Sequence, residues 1–253
     1  MNDESVRRII LGVLAHLALL LAWYLFVTFG NVPKFVMPSP IDTLNALLQP
    51  NYSWWTNIAV TGTEIFAGYF LALVVGVVLA LVFSWSKALE DFFMPLLVSL
   101  NMIPKVALGP LIIVWFKYGV FPNSMMAFSI CVFPILLTTA RGLREVEPEL
   151  LDLVRSLKGS RWQLFTKIQL PGALPYIFSG MKVAAILAVA GAIVGEFLGS
   201  DKGLGYLMLQ VQVTLDTPAM FMAVILITLL GMLLYGIVLA LEKLLVVKDA
   251  RVG

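Results

Sequence analysis

Six long blocks of apolar residues, separated by short polar stretches, set the pattern of the chain. They run over about 9–30, 61–85, 92–117, 122–142, 176–198 and 220–243. At about 1.5 Å per residue, some twenty helical residues cross a hydrocarbon core of about 30 Å, so each block predicts a membrane-spanning helix. The first block follows Arg7 and Arg8, as the apolar core of a secretion signal would. It is too long for that role and no small-residue cleavage site follows it, so it reads as the first span. The third block is interrupted at Ile103-Pro104-Lys105, and Gly109-Pro110 predicts a second break; the fourth holds Pro134. Such breaks are tolerated where the backbone faces protein or a water-lined cavity rather than lipid.

Two polar stretches carry helix signals of their own. In the first, Ser39 is a helix cap, Pro40 takes the first helical position, and Leu44, Leu47 and Leu48 make an apolar face. Tyr52, Trp54 and Trp55 follow, as in an interfacial aromatic belt, which predicts a short helix lying along the membrane surface. The second stretch, 143–175, reads as two short helices joined by a tight turn. Glu147-Pro148-Glu149 starts the first, with Leu150, Leu153, Val154 and Leu157 on one face. Arg155 and Lys158 fall in its last turn and Gly159 stops it. Ser160-Arg161-Trp162-Gln163 fits the S-x-x-Q capping box and opens the second helix, which Pro171 is expected to close. The product is a helical elbow with an apolar stripe and a basic rim.

Composition agrees with a membrane protein: 60% of the 253 residues are hydrophobic and 13% are charged, against about 25% charged in soluble domains. One cysteine, Cys131, excludes an intrachain disulfide, and one histidine, His16, leaves no supply for a metal cluster or a catalytic triad. Charge placement sets the expected orientation. With the N-terminus inside, 13 of the 17 Lys and Arg lie in inner segments, Lys248 and Arg251 among them. Lys34, Lys117 and Lys202 lie outside, and Lys105 lies within a span. The positive-inside rule therefore puts the elbow and both termini in the cytoplasm. No tandem repeat or long linker divides the chain, which reads as a single transmembrane domain over 1–253.

An elbow with an apolar stripe suits insertion into a groove on a soluble partner. A DNA-reading helix-turn-helix would need base-reading polar side chains, which are few here, so no nucleic acid is expected. At this point the sequence resembles the permease subunit of a bacterial ABC importer, in the group that includes sulfonate, taurine, nitrate and thiamine-precursor importers. That family's signature is E-A-A, three residues, G, nine residues, I-x-L-P. Here Asp152-Leu153-Val154 takes the E-A-A positions, Lys158 the glycine position, and Ile168-Gln169-Leu170-Pro171 the ending. Gly172-Ala173-Leu174-Pro175-Tyr176-Ile177, Ile103-Pro104-Lys105-Val106-Ala107-Leu108 and Gly195-Glu196 with Gly203-Leu204-Gly205-Tyr206 are also similar to the family. Aspartate for glutamate, Leu-Val for Ala-Ala, and a glycine displaced to Gly159 are the departures.

The resemblance implies an all-α integral membrane protein, with about six transmembrane helices of the type I-like importer fold and a coupling helix-turn-helix. It implies a non-catalytic transport subunit in the bacterial inner membrane, without cofactors. The chain has no G-x-x-x-x-G-K-[S/T] phosphate loop; two separate ABC ATPase subunits are implied, together with an extracytoplasmic substrate-binding protein. Six spans are few for a pathway in one chain, so a second copy is expected. Glu149, Asp152, Leu153, Val154, Arg155, Lys158, Gly159, Arg161 and Trp162 are the expected ATPase-coupling residues. Asn101, Pro104, Lys105 and Glu196 are the candidate pathway residues. Two readings stand for Lys105: attraction of an anionic cargo at the helix break, or a lysine that snorkels or pairs with a carboxylate. Glu196 has three: facing the pathway, pairing with Lys202, or holding the outer gate. Gly191 and Gly195 make a small-x-x-x-small pair suited to close helix packing. The rival class, a stand-alone secondary transporter or channel, predicts inverted repeats and more intramembrane charge.

Overall fold

A computed structural model describes residues 3–145 and 148–246. Glu147, Lys248 and Arg251 lie outside the described residues. Eleven α-helices are described: α1 Asp3–Phe29, α2 Pro40–Asn45, α3 Trp54–Trp85, α4 Lys87–Met102, α5 Lys105–Phe116, α6 Val120–Arg144, α7 Pro148–Ser156, α8 Arg161–Leu164, α9 Leu170–Gly199, α10 Leu204–Val213 and α11 Thr217–Leu245. Short 3₁₀ turns follow α2, a π-helical stretch Phe165–Gln169 joins α8 to α9, and there is no strand among the described residues.

Five long helices are apolar enough to cross a membrane: α1, α3, α6, α9 and α11. The expected third span is the pair α4 and α5, bent by 86° at Ile103-Pro104, where the expected break falls. Counting that pair as one span gives six. The expected second break at Gly109-Pro110 does not occur, for α5 runs through Pro110. Pro134 is likewise held inside α6.

The core is a three-helix seam of α3, α6 and α9. Ile65, Ala72, Cys131, Ile135, Leu136, Ala184, Ala188 and Ala192 are fully buried in it. Bilayer lipid is as apolar as leucine, so association rests on close packing through small residues. Gly191 and Gly195 supply that contact: a Cβ at Gly191 would stand 2.5 Å from Ala127 Cα, and one at Gly195 2.9 Å from Asn123 Cα. α11 joins this seam through α9, and an ion pair braces them, Lys182 Nζ to Glu242 Oε1 at 3.1 Å. α1 is the least embedded span. Trp23 ties it to the rest, donating to Pro38 O at 3.0 Å and stacking on Phe221 at 5.7 Å.

The bundle has two distinct ends. At one, α2, α10 and the N-terminal ends of α3 and α11 meet. Ser39 and Asp42 form a reciprocal capping box on α2, with Lys34 Nζ 2.7 Å from Asp42. Those two donors, lysine first, hold the Asp42 carboxyl below its ordinary value. Tyr52 donates to Asp216, which caps α11, and Thr217 donates to Phe35 O at 2.7 Å. At the other end lie Trp85, the α4 N-terminus and the elbow. Arg144 donates to the buried Glu90, which Lys87 also reaches at 3.3 Å.

Candidate functional site

The elbow is built as its sequence predicts at the turn and differently at its exit. Pro148 is the first helical residue described, and α7 ends at Ser156. Lys158 stands just past the helix with φ +53, and Gly159 N–H bonds back to Val154 O at 2.8 Å. This is a Schellman-type stop with the left-handed residue at the lysine rather than at the glycine. Gly159 is needed for space instead: a Cβ there would meet Val154 Cγ1 at 2.6 Å. Ser160 then forms the capping box of α8. Its Oγ accepts from Gln163 N–H at 3.2 Å, and its N–H donates to Gln163 Oε1 at 2.8 Å.

Pro171 does not close the second helix. α8 continues through the π stretch into α9, so 161–199 is one unbroken rod. A proline inside an α-helix lacks a donor and its ring crowds the carbonyl four residues back. The π turn widens the helix before that crowding, with Leu170 N–H reaching Phe165 O. The elbow's second arm is therefore the end of a membrane-spanning helix. It is fixed sideways by an aromatic ladder: Trp162 lies 5.8 Å from Phe165, and Phe165 meets Trp85 of α3 edge-on at 5.7 Å.

What the elbow presents is apolar and open. Leu153 is 52% exposed, Leu157 73% and Trp162 63%. Around them Glu149, Asp152, Lys158 and Arg161 are exposed, while Val154 and Gly159 are half-buried against each other. Arg155 lies in α7, with its side chain outside the description. Beside the elbow, Arg141 and Tyr176 hold the exposed Glu145 carboxyl below its ordinary value.

At the bend between α4 and α5, the chain brings two pathway candidates together. Asn101 and Lys105 line one pocket of about 270 Å³, walled by Val75, Leu97, Phe128 and Phe133. Pro104 makes the bend that brings them there. Among the described residues Lys105 is in no ion pair with a carboxylate: its Nζ donates to Leu100 O at 3.1 Å, in the last turn of α4. A cation is favoured against free carbonyls at a helix C-terminus.

Glu196 is elsewhere, and it does not pair with Lys202. It is 1% exposed, inside the bundle at the α2 end. Its Oε1 accepts from Thr61 Oγ1 at 2.5 Å, and its Oε2 accepts from the N–H groups of Gly205 and Tyr206. Gly203, the residue before α10, has no capping side chain, so Glu196 caps α10 from another helix. Leu204 N–H reaches Thr61 Oγ1 and Gly203 N–H reaches Asn57 Oδ1, both at 2.8 Å. The four N–H groups that open a helix are thus all satisfied across the bundle. Gly203 fits because its φ is +111 and any Cβ would strike the Glu196 carboxyl at 2.4 Å. Neither α10 nor the partners Asn57, Thr61, Glu64 and Asn123 are among the sequence candidates. The Gly195-Glu196 and Gly203-Leu204-Gly205-Tyr206 pair was the available signal.

A family profile described as binding-protein-dependent transport system inner membrane component matches residues 72–247. A probable ABC transporter permease protein of Haemophilus influenzae is 34% identical over 217 residues, 86% of this chain and 89% of the relative. The formylaminopyrimidine transport permease protein ThiX of Halalkalibacterium halodurans is 31% identical over 233 residues, 92% and 93% of the two chains. Among solved structures, the MetNI methionine ABC transporter in an inward-facing conformation shares the fold. Its TM-score is 0.55 at 22% identity, over 74% of this chain and 93% of that one.

Proposed function

The chain belongs to the binding-protein-dependent transport system inner membrane components, the permease subunits of ABC importers, and from that membership we propose a finer reading. Two copies form a translocation pathway in the bacterial inner membrane, with their elbows in the cytoplasm. Each elbow seats in a cleft of one of two ABC ATPase subunits, and an extracytoplasmic binding protein delivers cargo at the α2 end. The observation that carries the reading is the elbow's open apolar stripe, with Leu153 on α7, Leu157 just past it, and Trp162 on the rod continuous with α9. Closure of the ATPase pair would move α8 and α9 as one lever against α3 and α6, a rigid-body switch. Asn101, Pro104 and Lys105 form the pathway wall, for α5 leaves Val106, Val114 and Trp115 exposed where a second copy would complete it. Glu196 contributes from behind that wall, since its carboxylate is already engaged by α10.

The cargo is a small organic molecule of the thiamine-precursor kind. Apolar walls around Asn101 and Lys105 suit a ring with polar substituents better than a bare inorganic anion such as nitrate, and a relative over nine-tenths of the chain is named for formylaminopyrimidine. Sulfonates and taurine are the remaining anionic alternatives. The test is affinity purification of tagged chain from its native membrane, with uptake of formylaminopyrimidine, taurine and nitrate measured in the same strain. A P-loop ATPase at stoichiometric yield supports the reading. Leu153→Asp is expected to remove that ATPase while leaving insertion intact, because an unpaired charge in an apolar cleft costs several kcal/mol, on the order of the burial penalty. A chain that comes down alone and moves solute without ATP would make it a secondary transporter.

A further inference from the structure

Four glutamates are buried among the described residues: Glu64, Glu90, Glu196 and Glu242. Two of them sit against cations, Glu90 against Arg144 and Lys87, and Glu242 against Lys182. The other two meet each other, Glu64 from α3 and Glu196 from α9. The groups that face them are neutral: Asn57 and Thr61 on α3, Asn123 on α6, and the N–H groups opening α10. Among the described residues neither carboxyl is in an ion pair with a lysine, arginine or histidine.

Donors are unequally shared within the pair. Both Glu196 oxygens accept, one from Thr61 and the other from Gly205 and Tyr206. Glu64 Oε1 accepts from Asn123 Nδ2 at 2.8 Å. Glu64 Oε2 is buried with no donor, although Glu64 is 0% exposed. An ionised Glu64 in that place, next to a second carboxylate, is doubly unfavourable: one of its oxygens is desolvated without a donor, and the group faces like charge. A proton on Glu64 removes both problems, for the group becomes a donor beside the Glu196 acceptor. The charge then left on Glu196 lies at the N-terminus of α10, where a negative group is favoured.

We infer that Glu64 and Glu196 hold one proton between them, carried by Glu64, and that this carboxyl–carboxylate hydrogen bond is the positioning element that fixes α10 at the α2 end of the bundle. Its place gives it reach. Glu196 is near the C-terminal end of the same rod whose other end is the elbow, so motion of α9 bears directly on the α10 cap. Glu64→Gln keeps the device, because the amide supplies the N–H that replaces the shared proton. Glu196→Ala removes it.

Two measurements on intact chain in lipid nanodiscs test the inference. The first is the infrared difference spectrum between wild type and Glu64→Gln. The carbonyl stretch of a protonated carboxylic acid is expected in wild type and absent from the variant; its absence from wild type overturns the shared proton. The second is amide hydrogen exchange over 203–206. Protection is expected to be kept in Glu64→Gln and to fall about tenfold or more in Glu196→Ala, the change that loss of one hydrogen bond to a charged acceptor brings. Equal protection in wild type and Glu196→Ala overturns the positioning role. The infrared comparison uses only wild type and the isosteric variant, so it decides even where the alanine variant does not insert.

Discussion

Lys158 and Gly159 divide between them two jobs that one glycine usually does. The left-handed backbone falls on Lys158, while the close approach to Val154 falls on Gly159. A left-handed non-glycine residue costs about 1–2 kcal/mol relative to its ordinary conformation, and glycine carries no such penalty. Lys158→Gly is therefore expected to steady the elbow by up to about 1 kcal/mol, seen as slower amide exchange across 148–164. Gly159→Ala is expected to loosen it, since the new methyl would stand 2.6 Å from Val154 Cγ1. If the two variants behave alike, the division of labour is wrong. The signature's displaced glycine thus leaves the turn where the family pattern puts it, with Lys158 adopting the backbone that a glycine would.

At the scale of elements, the continuity from α8 to α9 is the feature with most mechanical consequence. Replacing Thr166 and Lys167 by glycine together costs about 1 kcal/mol of helix propensity in total, most of it at Lys167. The expected result is a complex that still binds its ATPase but takes up cargo poorly; undiminished uptake would show that the rod is not the lever. The packing of α9 on α6 gives a second test. Gly191→Val places two methyl groups where Ala127 Cα already lies at 2.5 Å from the first new carbon, so a sharp fall in folded yield is expected, read by size-exclusion chromatography in detergent. Much of this was legible beforehand. The six apolar blocks, the break at Pro104, the caps at Ser39 and Ser160 and the small pair at Gly191 and Gly195 all depend on local chemistry or on composition. What was not legible depends on partners far along the chain. Pro171 was expected to end a helix, because the widening turn that accommodates it has no sequence signal of comparable strength. Nothing local to Glu196 reveals that one of its oxygens accepts from Thr61 of α3 and the other caps α10. Glu64 carries no local signal inside its apolar span, since its partners come from α6 and α9.

For the molecule as a whole, the arrangement of surfaces argues for a paired assembly. Each chain carries one elbow and one bent α4–α5 face, and α5, whose first residue Lys105 lines the pocket with Asn101, turns Val114, 78% exposed, and Trp115, 66% exposed, outward. An α5 face left open in this way is a surface that a second copy could cover. A C2 pair of chains would close it with like surfaces, the commonest symmetry of homo-oligomers. The same pairing would set two elbows side by side for two ATPase subunits, so that one closure moves both rods. Native mass spectrometry of the complex released from detergent is expected to show two permease chains with two ATPase chains. A complex of one and one, active in uptake, would remove the shared pathway and leave cargo to cross within a single chain. Trp115→Ala sharpens the reading: removing a large ring from the proposed pairing face should lower the fraction of the two-and-two species, whereas a lipid-facing Trp115 leaves the distribution unchanged.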